Sequence, residues 1–397
     1  MRFRNNTVKM KNGLIAAAIC GAAFASQTFA ANATWVGGTD SAWTNKLNWS
    51  PNTTFPSANN TATFNQVSVN SPSISAFTDV GLILFTGSNV GNVEISGANT
   101  LNVDGLTLGT DTFATGILIN NGNSGKLTIS TTSLKLNASQ SWINISPNAF
   151  TVNASVNLNG KTVTVGGSGA TNFAGGSISS GTGALNKEGS GTLTLSGATN
   201  SYTGATTLID GTLLVTGALS NSAATTALVT ANGGTLGGTG TISRATTINS
   251  GAKLAPGVDA NTAGTLKIDQ SLTLGGTAAF DLVSAGSSDS ILVNGSNASA
   301  RTLTLGGALT VAAAPGFHFA NGQVFDLFDW GAKTSVTGTF SSVQLPTLGS
   351  GLSWQTYGSG QAFDYSTGQI SVVPEPASLA WIGLVGTAGL LRRRRAV

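Results

Sequence analysis

Short runs in which apolar and hydroxyl-bearing side chains alternate recur along this chain, and glycine, asparagine or serine ends each run. Seven of them are 126–130, 162–165, 192–195, 212–215, 265–268, 271–274 and 302–305. A period of two places alternate side chains on opposite faces of a β-strand, and threonine and valine suit a half-buried, pleated surface. No stretch of 31–373 shows a helical period with caps. The sequence therefore predicts an all-β fold.

The spacing of these runs agrees with a sandwich, a barrel or a solenoid. Three features favour a solenoid of the parallel β-helix type. The segment 31–373 is too long for one sandwich, and its strand units resemble one another. Its turns are rich in glycine, which adopts the positive φ angles that recur at corners. In a solenoid each coil covers the edge of the previous one, so only the two ends need caps.

One segment carries a more specific pattern. Residues 186–217 contain three short motifs, namely Lys187-Glu188-Gly189-Ser190-Gly191-Thr192-Leu193, Tyr202-Thr203-Gly204 and Gly211-Thr212-Leu213. This segment closely resembles the autotransporter-associated β-strand repeat, and 233–266 is similar to autotransporter passenger sequences. The resemblance implies a right-handed parallel β-helix.

The C-terminal end is a three-part tail. Pro374, Glu375 and Pro376 precede the uncharged segment 377–391, which is followed by four arginines, Arg392, Arg393, Arg394 and Arg395. As one helix, 377–391 would span about 22 Å, which is short of a hydrocarbon core of about 30 Å. The positive-inside rule places the arginines in the cytoplasm. The alternative is an ordinary C-terminal helix of a soluble domain.

This tail resembles the bacterial PEP-CTERM sorting signal. The resemblance implies a single transmembrane sorting helix, transient residence in the inner membrane and cleavage near the Pro-Glu-Pro motif by an exosortase-type protease. It also implies a final location at the cell surface or outside the cell. Exopolysaccharide and biofilm matrix are the surroundings that this family implies.

The N-terminal end has the features of a signal peptide. Four basic residues lie among the first eleven, an apolar segment follows at 13–25, and small residues come next. Cleavage after Ala25 or after Ala30 fits, and Ala30 is favoured. Cys20, the sole cysteine, lies within this segment. The mature chain is therefore expected to form no disulfide and to use no thiolate chemistry.

The formal charge of +3 comes from the two ends. The segment 31–373 holds ten Lys or Arg against fourteen Asp or Glu, a net charge of about −4. Nucleic-acid binding depends on basic residues that neutralise phosphates. No nucleic-acid partner is therefore expected.

The catalytic inventory is sparse, and the sequence predicts no enzyme, no cofactor and no metal site. His318 is the sole histidine and has no Asp or Glu within four residues, which disfavours a zinc site and a serine triad. A polysaccharide lyase or hydrolase stays an alternative, because such enzymes use paired carboxylates. The candidate pairs are Asp326 with Asp329, Asp281 with Asp289 and Asp104 with Asp111, and the candidate arginines are Arg244 and Arg301.

Three tryptophans near the predicted N-terminus of the mature chain are the best candidates for binding. Exposed indole faces of Trp35, Trp43 and Trp49 could stack on sugar rings. Alternatively, the three indoles cover the open end of the β-helix core. The covering role is the favoured one.

These observations divide the chain into five segments: a signal peptide at 1–30, a Trp- and Asn-rich N-terminal cap at 31–80, a β-strand repeat solenoid at 81–311, an aromatic-rich C-terminal β cap at 312–373, and the sorting tail at 374–397. The predicted function is that of a non-enzymatic exported surface or extracellular-matrix protein with a structural or adhesive role. The alternatives are a polysaccharide-modifying β-helix enzyme and a carbohydrate-binding module that uses the tryptophans.

Overall fold

The structure, a computed structural model, describes residues 32–67, 70–87, 90–108, 114–120, 122, 125–179, 181–220, 227–293, 300–332, 334–358 and 360–375. Within these residues the chain forms 38 β-strands and one turn of 3-10 helix, Lys46–Asn48, and no α-helix. The prediction of an all-β fold is confirmed for this part of the chain.

The first nineteen strands are β1 (Ala33–Trp35), β2 (Trp49–Ser50), β3 (Thr61–Phe64), β4 (Thr78–Val80), β5 (Leu82–Phe85), β6 (Val93–Val103), β7 (Leu106–Thr107), β8 (Ala114–Ile119), β9 (Leu127–Leu136), β10 (Gln140–Asn144), β11 (Phe150–Val152), β12 (Ser155–Asn157), β13 (Thr162–Gly166), β14 (Thr171–Phe173), β15 (Ile178–Ser179), β16 (Ala184–Lys187), β17 (Thr192–Leu195), β18 (Thr206–Leu208) and β19 (Thr212–Val215).

The remaining strands are β20 (Ala218–Leu219), β21 (Val229–Ala231), β22 (Thr235–Gly238), β23 (Thr241–Ile242), β24 (Thr246–Ile248), β25 (Lys253–Pro256), β26 (Thr265–Ile268), β27 (Leu272–Leu274), β28 (Thr277–Ser284), β29 (Ser287–Ser288), β30 (Ser290–Val293), β31 (Arg301–Leu305), β32 (Ala308–Ala313), β33 (Val324–Asp326), β34 (Phe328–Trp330), β35 (Thr334–Gly338), β36 (Ser342–Gln344), β37 (Leu352–Trp354) and β38 (Gln369–Pro374).

The chain visits three long sheets in turn, and almost all neighbouring strands in them are parallel. The first sheet runs from β2 to β35, the second from β15 to β36, and the third from β20 to β34. After β24 in the first sheet come β25 in the second and β26 in the third, and β27 then returns to the first beside β24. This winding is the arrangement of a parallel β-helix. The right-handed sense of the coil stays a prediction.

The coils differ in length. One takes 17 residues, from Val229 to Thr246, and another takes 31, from Leu272 to Leu303. In the longer coil the extra residues include the extended strand β28 and its hairpin with β29, while the strands still pair in register with those of the neighbouring coils. The alternating pattern is therefore regular in the strands, but no single repeat length describes the whole chain.

The core is a column of apolar side chains inside the coil. In β17 the burial alternates, so that Leu193 and Leu195 are buried and the two threonines are half-buried. Leu193 is in register with Leu213, then Leu236, Leu254 and further core residues of the following coils. One face of each strand thus supplies the core, as the period of two predicted.

Aromatic clusters lie at both ends of the described coil. At the first end Trp35, Trp43 and Phe64 pack edge to face around Trp49. At the other end β33, β38 and β37 form a separate antiparallel sheet, in which Phe325 of β33 and Trp354 of β37 both pack edge to face against Phe319. The parallel pairing of the coil includes β1 and β3, which lie in the proposed N-terminal cap, and β35 and β36, which lie in the proposed C-terminal cap. The stacked coils therefore extend into both segments.

Most of the individual strands proposed from the alternating pattern are found at or near the predicted positions. The runs 192–195, 212–215 and 265–268 coincide with β17, β19 and β26, and 162–165, 271–274 and 302–305 differ from β13, β27 and β31 by one residue. The run 126–130 is the beginning of a longer strand, β9.

Candidate functional site

The predicted processing signals lie mostly outside the described residues. Ala30, Pro376 and the four arginines 392–395 are outside them, as is the apolar segment 377–391. Pro374 is the last residue of β38, and the backbone N–H of Glu375 donates to the carbonyl of Gly351 at 3.0 Å. Both Pro374 and Glu375 are exposed. Across the described part of the chain, no helix has the length and apolar character needed to cross a membrane.

The three tryptophans proposed for sugar stacking are in the core. Trp35 is 1% exposed, and Trp43 and Trp49 are both 0% exposed. The indole N–H of Trp49 donates to the carbonyl of Trp43 at 2.7 Å, and that of Trp35 donates to the carbonyl of Asn70 at 2.7 Å. No ring face is open to a sugar, so the structure contradicts the stacking role. The apolar bodies fill the first layer of the core, while each polar N–H has a backbone partner.

The lysine that begins the repeat motif is also buried. The Lys187 side chain turns inward at the end of β16, where it is 2% exposed. Its ammonium donates to the carbonyls of Glu188, Gly189 and Asp210 at 2.7, 2.6 and 3.2 Å. Burial lowers the pKa of Lys187 to about 8, against the opposing attraction of Asp210 and Glu188. Lys187 therefore joins two successive turns of the coil and presents no charge to a ligand.

The centre of the motif forms a second buried cluster. Arg244, at the corner before β24, is 2% exposed and reaches back to the corner before β18. Its guanidinium donates to the carbonyl of Tyr202 at 2.6 Å and to that of Ser220 at 3.1 Å, and it lies 4.2 Å from the centre of the Tyr202 ring. The Tyr202 hydroxyl is 2.6 Å from the hydroxyl of Thr206, and burial raises the pKa of the phenol.

Asn200 lies on the side of the coil that later forms the third sheet. At this coil the side has no strand, and Asn200 makes an isolated parallel bridge with Leu219. Its side-chain oxygen accepts from the backbone N–H of Ile178 at 2.9 Å, and its amide donates to the carbonyls of Gly197 and Ala218 at 3.2 and 2.9 Å. The side chain thus replaces backbone partners between neighbouring coils. The side chains of Lys187, Asn200 and Arg244 bond to the backbone of the coil, and Tyr202 packs under Arg244, so the motif residues Lys187, Asn200 and Tyr202 build the scaffold.

The outer face of the first sheet carries a continuous row of polar side chains, which we call the hydroxyl ladder. In register order its members are Ser141, Thr164, Asn186, Thr207, Thr230, Thr247, Thr273, Thr304 and Thr337. Each is half-buried or exposed, and all but Thr337 lie between two buried neighbours. Adjacent strands lie about 4.8 Å apart, so the ladder extends over about 40 Å.

The second sheet has no such row along its whole length. Its corresponding outer positions are Thr128, Thr151, Asn172 and Thr194 in the early coils, but Leu214, Gly237 and Ala255 in the later ones. A neighbouring outer position of this sheet stays polar through the later coils, where Thr192, Thr212, Thr235, Lys253 and Thr277 are in register. Polar rows therefore lie on the outer faces of both sheets, and the hydroxyl ladder of the first sheet is the longer one.

A polar cleft of about 550 Å³ lies near the end of the coil, where β34 meets β33 and β38. One wall is the β28–β29 hairpin with Gly286, and the opposite wall comes from β33, β34 and the turn before β38. The lining residues are Gly286, Ser287, Ser288, Ser290, Val324, Phe325, Asp326, Phe328, Asp329, Thr367 and Gln369. Two carboxylates, four hydroxyls and an amide therefore share one depression.

Asp326 and Asp329 both line the cleft because the alternation changes phase between them. Phe325, Leu327 and Phe328 are all buried, whereas both aspartates are exposed. The break between β33 and β34 falls at Leu327, so two consecutive residues point inward and the next aspartate again points outward. The Gln369 amide donates to Asp326 across the antiparallel β33–β38 pair. Of the proposed acidic pairs, this one lies in an open site.

The other proposed acids do not form such a site. Asp289 is 1% exposed and accepts hydrogen bonds from the backbone N–H groups of Gly264 and Asp281 at 2.8 and 3.1 Å. Burial raises the pKa of Asp289 to about 6, and the charges of Asp281 and Asp259 add to this effect. Asp104 accepts from the Asn137 amide at 2.7 Å, while Asp111 lies outside the described residues.

The proposed catalytic arginines and the histidine are not beside the cleft acids. Arg244 and Arg301 are 2% and 4% exposed, and neither lines the cleft. His318 is exposed between two packed phenylalanines, Phe317 and Phe319. Among the residues with described positions, no group of three or more His, Cys, Asp or Glu side chains is placed to hold a metal ion.

Comparison with known proteins supports the identity of the repeat. Residues 185–215 match the family model described as the passenger-associated-transport-repeat. This match contains Lys187 and Asn200, whose side chains bond to the backbone of neighbouring coils, and Tyr202, whose carbonyl accepts a bond from Arg244. Such repeats are found in secreted passenger-type proteins, which is consistent with export to the cell surface. No curated protein matches the chain.

Proposed function

We propose that this protein is a non-enzymatic structural or adhesive component of the cell surface or extracellular matrix, where it associates with exopolysaccharide. The hydroxyl ladder is the observation that carries the proposal. It offers nine polar side chains in register along one face of the coil. Charged residues make up only 8% of the chain, so contacts with a neutral polymer would depend on hydrogen bonds.

Many weak bonds in register can give useful adhesion. A single hydrogen bond contributes about 0.5–1.5 kcal/mol in water, because both partners give up bonds to solvent. Once the first bonds form, the following rungs bind intramolecularly at a high effective concentration. The fixed spacing of strands, about 4.8 Å, keeps the hydroxyls in position without a loss of backbone freedom on binding.

The ladder is tested by replacing Thr207, Thr230 and Thr247 with valine, which keeps side-chain shape and strand propensity while removing three hydroxyls. Co-sedimentation with exopolysaccharide purified from the host should show at least a tenfold loss of affinity, given about 0.5–1.5 kcal/mol for each bond. The matched control replaces Thr128, Thr151 and Thr194, which are also half-buried but lie on the second sheet. Equal binding by both triple variants would contradict an adhesive ladder.

We also propose that the chain is exported through its signal peptide, is held in the inner membrane by the tail, and is released by an exosortase-type protease. The passenger-type repeat supports export, and the tail resemblance supports the route. Replacing Pro374, Glu375 and Pro376 with alanine should leave uncut precursor in the inner membrane. Cell fractionation with intact-mass analysis measures this directly. Normal processing of that variant would contradict the sorting route.

A polysaccharide-modifying enzyme is the second candidate, since Asp326 and Asp329 lie in one cleft. The non-enzymatic proposal expects no cleavage of polysaccharide by this protein, and an activity assay tests that expectation. The protein is incubated with host exopolysaccharide, and new reducing ends and unsaturated products are measured over time. Product formation that is lost in Asp326→Asn or Asp329→Asn would replace the non-enzymatic proposal with a catalytic one.

A further inference from the structure

We propose that the cleft between the β28–β29 hairpin and β33, β34 and β38 is a binding site for a neutral saccharide. The proposal shares with the proposed function the chemical class of the ligand, but it concerns a different surface. The hydroxyl ladder is a flat row on the first sheet, whereas the cleft is a depression beside the end of the third sheet. The ladder fits a polymer surface, and the cleft fits a chain end or a side branch.

The charge of the cleft selects against anions. Its two ionisable side chains are Asp326 and Asp329, and none of its described lining residues is basic. A phosphate or uronate would meet like charge with no compensating cation, which is destabilising at close range. Neutral hydroxyl groups, in contrast, are good partners for carboxylates, because a carboxylate accepts hydrogen bonds and has no proton to donate at neutral pH.

The remaining polar groups match a polyol. Ser287, Ser288, Ser290 and Thr367 each offer a hydroxyl, which can donate and accept, and Gln369 offers an amide. A sugar ring presents hydroxyls of the same dual character around its edge. Val324 is 45% exposed at the cleft and gives an apolar surface for the C–H face of a ring. The lining therefore combines two carboxylate acceptors, five side chains that both donate and accept, and the exposed apolar side chain of Val324.

The cleft is held in shape by the backbone around it. The N–H groups of Leu327 and Phe328 both donate to the carbonyl of Gly368 at 3.1 Å. Beneath the cleft, Phe328 packs edge to face with Phe280 and Phe363 at centroid distances of 5.1 and 5.9 Å. The bond from Gln369 fixes the Asp326 carboxylate in one orientation. A preorganised site loses little conformational freedom when it binds.

The volume sets the size of the ligand. Pockets for small molecules measure about 300–1,000 Å³. At about 550 Å³ the cleft accommodates one or two sugar rings and leaves the rest of an oligosaccharide in solvent. The affinity of a single cleft for a free oligosaccharide is expected to be weak, in the millimolar range, which corresponds to about 4 kcal/mol.

The test measures binding of cellotetraose, maltotetraose and mannotetraose to the full-length protein by saturation-transfer NMR, followed by calorimetry. Tetragalacturonate serves as the charged probe of equal length, and Ca²⁺ alone tests a cation as the occupant. At least one neutral tetrasaccharide should bind, without a requirement for Ca²⁺ and more tightly than tetragalacturonate. Three results overturn the proposal: no binding by any neutral probe, equal or better binding by tetragalacturonate, or tight binding of Ca²⁺ at these aspartates.

Variants locate the binding. Asp326→Ala and Asp329→Ala should each weaken saccharide binding about tenfold, the usual effect of losing a hydrogen bond to a charged acceptor. Asp79→Ala is the matched control, since Asp79 is an exposed strand aspartate in β4, outside the cleft. Circular dichroism confirms that each variant folds, and Ser288→Ala provides a second, uncharged probe of the same wall. Unchanged binding in all three cleft variants overturns the assignment.

The two proposals fail in different ways. The valine variants of the hydroxyl ladder should lose sedimentation with the polymer while they keep binding of the neutral tetrasaccharide. The cleft variants should lose binding of the neutral tetrasaccharide while they keep sedimentation with the polymer. If the ladder variants lose both activities, the saccharide site lies on the ladder and the cleft assignment is overturned.

Discussion

Replacement of Arg244 with methionine tests whether a buried cation can serve as a hydrogen-bond donor to the coil backbone. The side chain crosses from the corner before β24 to the corner before β18 and has no acidic residue among its hydrogen-bond partners in the described residues. Methionine fills a similar elongated volume without a donor. The variant therefore leaves backbone carbonyls in the core and removes the stacking on Tyr202.

The expected loss follows from the bond lengths. Two bonds are short, to the carbonyls of Tyr202 at 2.6 Å and Ser220 at 3.1 Å, and those to Gly204 and Asn200 are long, at 3.5 and 3.4 Å. A buried carbonyl that loses its partner costs about 1–3 kcal/mol, and two such groups dominate here. Burying methionine avoids the desolvation of a guanidinium, which offsets part of the loss. We expect a net destabilisation of about 2–4 kcal/mol.

The assay combines two measurements, because repeat proteins can unfold in parts. Urea unfolding followed by circular dichroism gives the overall change. Hydrogen exchange at the amide of Thr206, which donates to the carbonyl of Leu228 at 2.8 Å, gives the local change. The control is Lys253→Met, at an exposed position of β25, where a change within about 0.5 kcal/mol is expected. An Arg244→Met variant as stable as this control would refute the reasoning, because the carbonyls would then be satisfied without the guanidinium.

Three further predictions concern other buried groups. The pKa of Lys187 is lowered from 10.5 to about 8, so between these values the amine is mostly neutral in the folded state and mostly protonated in the unfolded state. The free energy of unfolding should therefore rise by about 3 kcal/mol as pH rises from 8 to 10.5. Urea titrations of Lys187→Met should show no such rise. The pKa of Asp289 is raised from 3.8 to about 6, so its contribution is present below pH 3.8 and is lost as pH rises through 6. The free energy of unfolding of Asp289→Asn should therefore rise by about 3 kcal/mol relative to that of wild type between pH 4 and pH 7. A difference in stability that stays constant over this range would contradict the prediction. Gly368 has a φ of +83°, and an added Cβ would lie 2.1 Å from the carbonyl oxygen of Phe328, so Gly368→Ala should lower the thermal midpoint, whereas Gly358→Ala, with open space around the Cβ, should not.

The strands could be predicted because their signal is local. In the run 192–195 the polarity of each residue indicates whether its side chain faces the core or the solvent, and the neighbouring coils show the same alternation. The winding into stacked coils also followed from length and from the similarity of the units. The coil lengths could not be derived in the same way, because coils of 17, 31 and 34 residues all keep their strands in register.

The sites depended on contacts between distant residues, and there the sequence was less informative. Arg244 was a candidate arginine for a site with paired carboxylates. Its partners instead lie 24 to 44 residues away and are four backbone carbonyls and the hydroxyl of Thr206, which no sequence pattern displays. The tryptophans were correctly singled out as a group, yet their burial depends on how the first coil closes. Asp326 and Asp329 share a cleft because of a change in phase at Leu327, which interrupts the period of two.

The hydroxyl ladder takes one side chain from each of nine successive coils, so the row runs along the axis of the coil. A polymer held along this row would therefore lie parallel to that axis, and one protein molecule would contact a single polymer strand over about 40 Å. Each added coil would lengthen this contact by about 4.8 Å, so the number of coils would set the length of polymer that one molecule holds.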